Sequence, residues 1–346
     1  MVDIAERGVA QEKPQQTPLL SVRGLEISVA DGKDTHAAVA DVSLQVRAGE
    51  AVGLVGESGS GKSLTAAAIM GILPAGVRVS AGSVEFGGRD LAALSAREMS
   101  AIRGEEIGFV FQDPGVALNP LMTLGAHIVE AIRQHRPLSR RAARAQAIEA
   151  LAEVGIADPA RRVDQYPHEF SGGMKQRAMI AIAIVNRPRL IIADEPTTAL
   201  DVTIQAQILD LLRTIQKDSG AAMLLITHDL GVIAETVSRV AVMYSGRIVE
   251  EATVDAAFHS ALHPYTRALV ECLPTLDGDE RLLPSIPGAP PTLGDRTTGC
   301  DFASRCPLNG GRAECEVRPE LLRWSDDHLA ACHFSNEMLL VGEGTR

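Results

Sequence analysis

Short runs of apolar residues recur along the chain at 51–55, 107–111, 190–193, 223–227 and 240–244. Each is too short for a buried helix and is apolar without alternation, so each predicts a strand covered on both faces. Amphipathic helical stretches lie between several of them, and that alternation predicts an α/β domain with a largely parallel sheet. The first run enters a glycine-rich turn and then a helical pattern over 63–73, giving strand, loop and helix in succession. One region breaks the rhythm: 138–155 is helical throughout, with Ser139 placed as N-cap and Gly155 as stop, and 113–185 as a whole reads as a helical insertion. From His263 onward proline becomes frequent and periodicity fades. The segment 286–291, Ile-Pro-Gly-Ala-Pro-Pro, predicts an extended linker to a separate C-terminal module.

Composition narrows this picture. The 346 residues, 46% hydrophobic and 22% charged, suffice for a sizeable core. Residues 1–18, polar and mixed in charge, predict a disordered lead-in, with order beginning at Leu19. That lead-in lacks the cationic start and apolar stretch of a secretory signal, and the longest uninterrupted apolar run, 178–185, is far short of the ~20 residues of a membrane-spanning helix. A cytoplasmic protein is expected. A net charge of −11 and 3% aromatic content disfavour a nucleic-acid partner, which needs clustered Lys and Arg or stacking rings. All five cysteines, Cys272, Cys300, Cys306, Cys315 and Cys332, fall in the last quarter. In a reducing compartment such a cluster suggests a metal or cluster site rather than a disulfide framework.

The glycine-rich turn carries the chemistry. Gly56, Glu57, Ser58, Gly59, Ser60, Gly61, Lys62 and Ser63 fit the phosphate-binding loop pattern in its required place between strand and helix. Its backbone N–H groups converge on phosphates, the helix N-terminus adds a positive dipole end, Lys62 reaches the outer phosphates and Ser63 can ligate Mg²⁺. A second element, Leu-Ile-Ile-Ala-Asp194-Glu195, ends an apolar strand in two acids. Alone it would be as well read as a solvated acidic turn. After a phosphate loop, Asp194 is suited to holding Mg²⁺ and Glu195 to polarising the attacking water. Ser171, Gly172 and Gly173 form another small-residue turn before a helix, again fit to bind an anion or merely to start the helix.

The segment 169–177, Glu-Phe-Ser-Gly-Gly-Met-Lys-Gln-Arg, resembles the signature of ABC ATPases. The resemblance runs over nearly the whole chain from Leu19: phosphate loop, Gln112, the signature, Asp194 and Glu195, the turn ending at Asp201, and His228 follow in the family's order. It implies a P-loop NTPase ABC cassette with a RecA-like parallel-sheet core, antiparallel β elements and a helical subdomain over 19–260, and a small Cys-containing C-terminal extension over 261–346. It also implies roles: His228 contacts the γ-phosphate, Gln112 contacts Mg²⁺ or water, the Ser171–Gly172–Gly173 turn completes the site of a second ATPase subunit, and Asp201 meets that subunit's site. ATP and Mg²⁺ are the implied ligands. One departure stands out: no Phe, Tyr or Trp occurs between Leu20 and Val55, where the family offers a ring to adenine. Val29 or His36 stands nearest, and no adenine platform is assigned.

Two further segments resemble the oligopeptide and dipeptide importer branch: Phe-Gln112-Asp113-Pro114 with Leu-Asn-Pro120, and His263-Pro-Tyr-Thr-Arg-Ala-Leu269 before the cysteines. Branch membership implies a heterodimer with another ATPase subunit at the cytoplasmic face of the membrane. Its further partners are two membrane permease subunits and, through them, an extracytoplasmic solute-binding protein. Peptides are the expected cargo; nickel or glutathione import, or a soluble ABC ATPase outside transport, are the alternatives. Cys300, Cys306, Cys315 and Cys332, spaced by six, nine and seventeen residues, resemble the branch's C-terminal pattern, some of whose members carry an iron–sulfur cluster. Four thiolates suit [4Fe–4S] or structural Zn²⁺, and unligated thiols are the third option.

Overall fold

The structure is a computed structural model describing residues 17–32, 34–273, 285–294 and 298–342. The expected lead-in lies outside these residues except for Thr17 and Pro18. Among the described residues, twelve strands form two sheets. Strands β1 (Leu20–Asp31), β2 (Asp34–Val46), β4 (Val77–Phe86) and β5 (Arg89–Asp90) make an antiparallel sheet in the order β2-β1-β4-β5. The main sheet contains β3 (Ala51–Val55), β6 (Ile107–Val110), β7 (Leu190–Asp194), β8 (Ala222–Thr227), β9 (Arg239–Tyr244), β10 (Arg247–Thr253), β11 (Leu322–Ser325) and β12 (His328–Ala330). Its order is β11-β12-β10-β9-β3-β8-β7-β6, and the five strands from β9 to β6 run parallel.

The five apolar runs are these five parallel strands, and their lack of alternation has a direct cause. Val52, Leu54, Ile192, Leu224 and Met243 point into a core shared with the antiparallel sheet. Their neighbours Val55, Ile191, Leu225 and Val242 point into a second core shared with the helices. With both faces buried, the interior positions of these strands carry apolar residues or glycine. The helix after β3 runs Lys62–Met70 rather than over 63–73, because Gly71 turns left-handed at φ 61° and bonds back to the Ala67 and Ala68 carbonyls. Helices occupy much of 114–184, and the one expected over 138–155 runs Arg140–Glu153, with the Ser139 hydroxyl accepting from the Ala142 N–H.

The tail is not a body apart. β12 pairs with β10, so the C-terminal strands extend the cassette's own sheet. Behind that pairing Glu250, wholly buried, accepts from the Leu262 and His263 N–H groups and meets His328 Nε2 at 2.7 Å. Burial lowers the His263 pKa to about 4, keeping the ring neutral so that Nδ1 accepts from the Tyr265 N–H.

A second polar knot joins the two sheets. The Arg239 guanidinium, at the start of β9, holds both Glu50 oxygens at 3.0 and 3.2 Å, pairs with Glu251 of β10 and donates to the Gln45 carbonyl of β2 at 2.6 Å. Removing the cation would strand two shielded carboxylates. Arg239→Met should therefore cost about 3–5 kcal/mol of unfolding free energy, read from urea denaturation; a loss under about 1 kcal/mol would show that the knot is not structural.

Candidate active site

The turns after β3, β7 and β8 all open at the carboxyl end of the parallel strands, where open α/β sheets bind ligands. The phosphate loop leaves β3 there. At Gly56 a Cβ would stand 2.0 Å from the Met243 carbonyl oxygen, and Gly61 turns at φ 105° against Met243 and Val39, so the loop can close this tightly only with glycine. Lys62 lies inside the loop, 4% exposed, its ammonium donating to the Gly56 and Glu57 carbonyls at 2.8 and 2.9 Å. Burial lowers its pKa, opposed by the charges of Glu195, Asp194 and Glu57.

Around that ammonium the structure brings together Ser63, Gln112, Asp194, Glu195 and His228. The Ser63 hydroxyl donates to Asp194 Oδ1 at 2.9 Å. Glu195 Oε1 lies 4.0 Å from Lys62 Nζ, while Oε2 accepts from Gln112 Nε2 at 3.1 Å and the Thr198 hydroxyl at 2.9 Å and lies 3.3 Å from His228 Nδ1. Glu195 itself sits at φ 44°, a left-handed conformation rare for a residue with a Cβ. Burial raises the Asp194 pKa against the lowering influence of the Ser63 hydrogen bond. The donor set suits the expected Mg²⁺: the Ser63 hydroxyl and Asp194 carboxylate are hard oxygens already side by side.

Of these groups, Lys62, Ser63, Gln112 and Glu195 border a cavity of about 600 Å³. Residues 39–198 match the family described as ABC transporter, and 249–315 match the oligopeptide/dipeptide transporter C-terminal region. The dipeptide transport ATP-binding protein DppD of Escherichia coli is 46% identical over 316 residues, covering 91% of this chain and 96% of that protein. The chain belongs to the ATP-binding proteins of the peptide ABC transporter family. The oligopeptide transport ATP-binding protein OppD of Bacillus subtilis is 47% identical over 314 residues, 90% of this chain and 87% of that one. Among solved structures, the dimeric ATP-binding cassette MJ0796 in a post-hydrolysis state with ADP and Pi superposes with a TM-score of 0.62 at 29% identity, covering 68% of this chain and 98% of that chain. This ABC protein is an ATPase with the cassette fold.

The remaining site candidates lie elsewhere. Ser171 caps the helix Gly172–Ile184 and Asp201 caps the helix Val202–Ser219, each side chain accepting from a first-turn N–H. A Cβ on Gly173 would meet Ile204 at 2.6 Å, so the signature turn packs directly on the Asp201 helix. None of Ser171, Gly172, Gly173 or Asp201 borders the phosphate-loop cavity of this ABC ATPase.

The four tail thiols fall short of the expected ligand set. Cys300 and Cys315 are neighbours through the Cys300 N–H to Cys315 carbonyl bond. Burial raises all four thiols, Cys300 and Cys332 to about 11, with neighbouring thiols adding to it at Cys300, Cys306 and Cys332 and Glu314 at Cys315. Among the described residues no group of three or more His, Cys, Asp or Glu is arranged to hold a metal ion. The chemistry of the donors suits a cluster; their placement does not close one.

Three contacts at the site escaped sequence reasoning. Thr198, three residues past Glu195, steadies its carboxylate. The Tyr265 hydroxyl accepts from the Glu57 N–H at 2.9 Å, and Arg305 grips both Glu57 oxygens at 2.7 and 2.9 Å. Tyr265 lies in the 263–269 segment already singled out, whereas Arg305 is marked only by its place beside Cys306.

Proposed function

We propose that this ABC ATPase powers the import of peptides from the cytoplasmic face of the membrane, as one of two ATPase subunits bound to two permease subunits that receive cargo from an extracytoplasmic solute-binding protein. Among the described residues no helix is long and apolar enough to cross a membrane, consistent with a peripheral motor. The tail carries the peptide reading, since residues 249–315 match the oligopeptide/dipeptide transporter C-terminal region, and relatives covering nine-tenths of the chain are named for dipeptide and oligopeptide transport.

Hydrolysis in this reading rests on one observation: Glu195 Oε2 is fixed by Gln112, Thr198 and His228 beside the buried Lys62 ammonium. So held, Glu195 orients a water for in-line attack on the γ-phosphate and draws off its proton. Lys62 and the loop amides other than those of Glu57 and Ser60, which bond to the Tyr265 hydroxyl and the Glu57 carbonyl, hold the phosphates, and His228 contacts the γ-phosphate. Ser63, Asp194 and Gln112 would hold Mg²⁺, which would supply charge neutralisation at the phosphates. Ser171, Gly172 and Gly173 cap the second subunit's nucleotide, with Asp201 at the seam. ATP then favours the closed pair by its greater affinity for that state, and closure moves the permeases. A finer proposal is a [4Fe–4S] cluster at Cys300, Cys306, Cys315 and Cys332, resting on the thiols' donor chemistry and on the resemblance of their spacing to the branch's pattern; no step is routed through it. Iron and acid-labile sulfide should then accompany anaerobically purified protein, and their absence removes the cluster.

Glu195→Gln should lower kcat for ATP by about 10²–10³-fold while MgATP binding persists; a wild-type rate would contradict the role. For the importer itself, two membrane subunits should co-purify with the chain, and its deletion should abolish uptake of a labelled dipeptide. Undiminished dipeptide uptake with lost nickel or glutathione uptake would reassign the cargo, and ATPase activity stimulated by nucleic acid would sink the transport reading.

A further inference from the structure

The nucleotide cavity has apolar as well as polar lining, and the apolar lining is not built from the cassette alone. Besides the phosphate loop, it is bordered by Val29 and Ala38 of the antiparallel sheet and by Pro290, Pro291 and Leu293 of the tail. Phosphates seated on the Lys62 loop leave the nucleoside this apolar lining. Among the described residues the one aromatic bordering the cavity is Tyr244, although the His36 imidazole of β2 lies close by at Gly294. Tyr244 is 1% exposed, packed between Tyr265 and Phe302, with its hydroxyl accepting from Arg305. It is committed to the core and cannot offer a face to a base.

We infer that Pro290, Pro291 and Leu293 form one wall of the adenine subsite, facing Val29 and Ala38, and that Arg305 is the positioning residue that sets this wall against the phosphate loop. The inference rests on the ATPase reading of the same site. Arg305 is 7% exposed and bonds in two directions. Its terminal nitrogens clasp the Glu57 carboxylate of the phosphate loop at 2.7 and 2.9 Å. Its Nε donates to the Pro287 carbonyl at 2.9 Å and a terminal nitrogen to Ile286 at 3.4 Å, at the root of the wall. Gly288, at φ 76°, lies against the same side chain, where a Cβ would stand 3.4 Å from Arg305 Cγ. At the other end a Cβ on Gly294 would come 4.0 Å from His36 Cε1, so the segment reaches across to β2. One rigid, bidentate guanidinium thus fixes the spacing between the group that binds phosphate and the surface that meets the base. Two consecutive prolines hold their φ angles before any ligand arrives, so little conformational entropy is lost on binding. An apolar wall of this kind favours a purine by burying its face rather than by stacking a ring on it.

The test compares a ligand with a base and one without. Calorimetry is run with the full chain carrying Pro290→Ala, Pro291→Ala and Leu293→Ala, using MgATP and magnesium tripolyphosphate. MgATP should weaken about tenfold while tripolyphosphate stays within about twofold of the parent chain. Arg305→Met, which frees wall and loop together, should weaken both. Unchanged or tighter MgATP binding in the triple variant would overturn the wall, as would parallel weakening of both ligands. If the parent chain binds neither ligand, the ATPase reading fails and the inference with it.

Discussion

A buried ammonium governs the design. Lys62 is almost shielded from water, so its charge must be balanced locally: by the Gly56 and Glu57 carbonyls, and by Asp194 and Glu195 across the sheet. Those balancing groups come from turns after separate parallel strands, β3 and β7, with β8 between them. The sheet order is therefore also the order in which the charges are delivered. Tight glycine turns let the loop carbonyls wrap the ammonium. A di- or triphosphate with its metal completes a charge arrangement that the fold has left ready, and needs little reorganisation to do so.

The tail is bound into the same arrangement. Glu57 belongs to the phosphate loop, yet its N–H donates to Tyr265 and its carboxylate is clasped by Arg305. Glu250, buried without a lysine or arginine partner, is satisfied by two backbone amides and His328 of β12. The extension thus stiffens the loop from behind, and a change in the packing of Phe302, Tyr244 or Arg305 would be felt at the phosphates. That coupling gives a physical reason for an importer ATPase to carry a tail fused to its main sheet.

Where function demanded special residues, the sequence was legible. The glycines and Lys62 of the loop, the acids ending β7 and the Ser139 cap each follow from local stereochemistry, and all five parallel strands announced themselves as unbroken apolar runs. The antiparallel sheet did not, although Val42, Leu44 and Val46 alternate with Asp41, Ser43 and Gln45 as a half-exposed strand should. That signal is short within a strand of thirteen residues, and bulges between Val22 and Ser28 interrupt its partner. The tail's role was invisible for another reason: Arg305 and Glu57 are 248 residues apart, and no local pattern encodes a contact at that range. The thiols show the opposite limit: their spacing resembles the branch's pattern and left a cluster, zinc or unligated thiols open, while among the described residues no group of three or more donors is arranged to hold a metal ion.

The central claim is that the Lys62 loop and the β7 acids together receive MgATP. Amide hydrogen exchange of the full chain with and without MgATP tests it most directly. Slowed exchange should concentrate at 56–63, with smaller protection at 194–198 and 227–229. Unchanged exchange across 56–63 at saturating MgATP would contradict it.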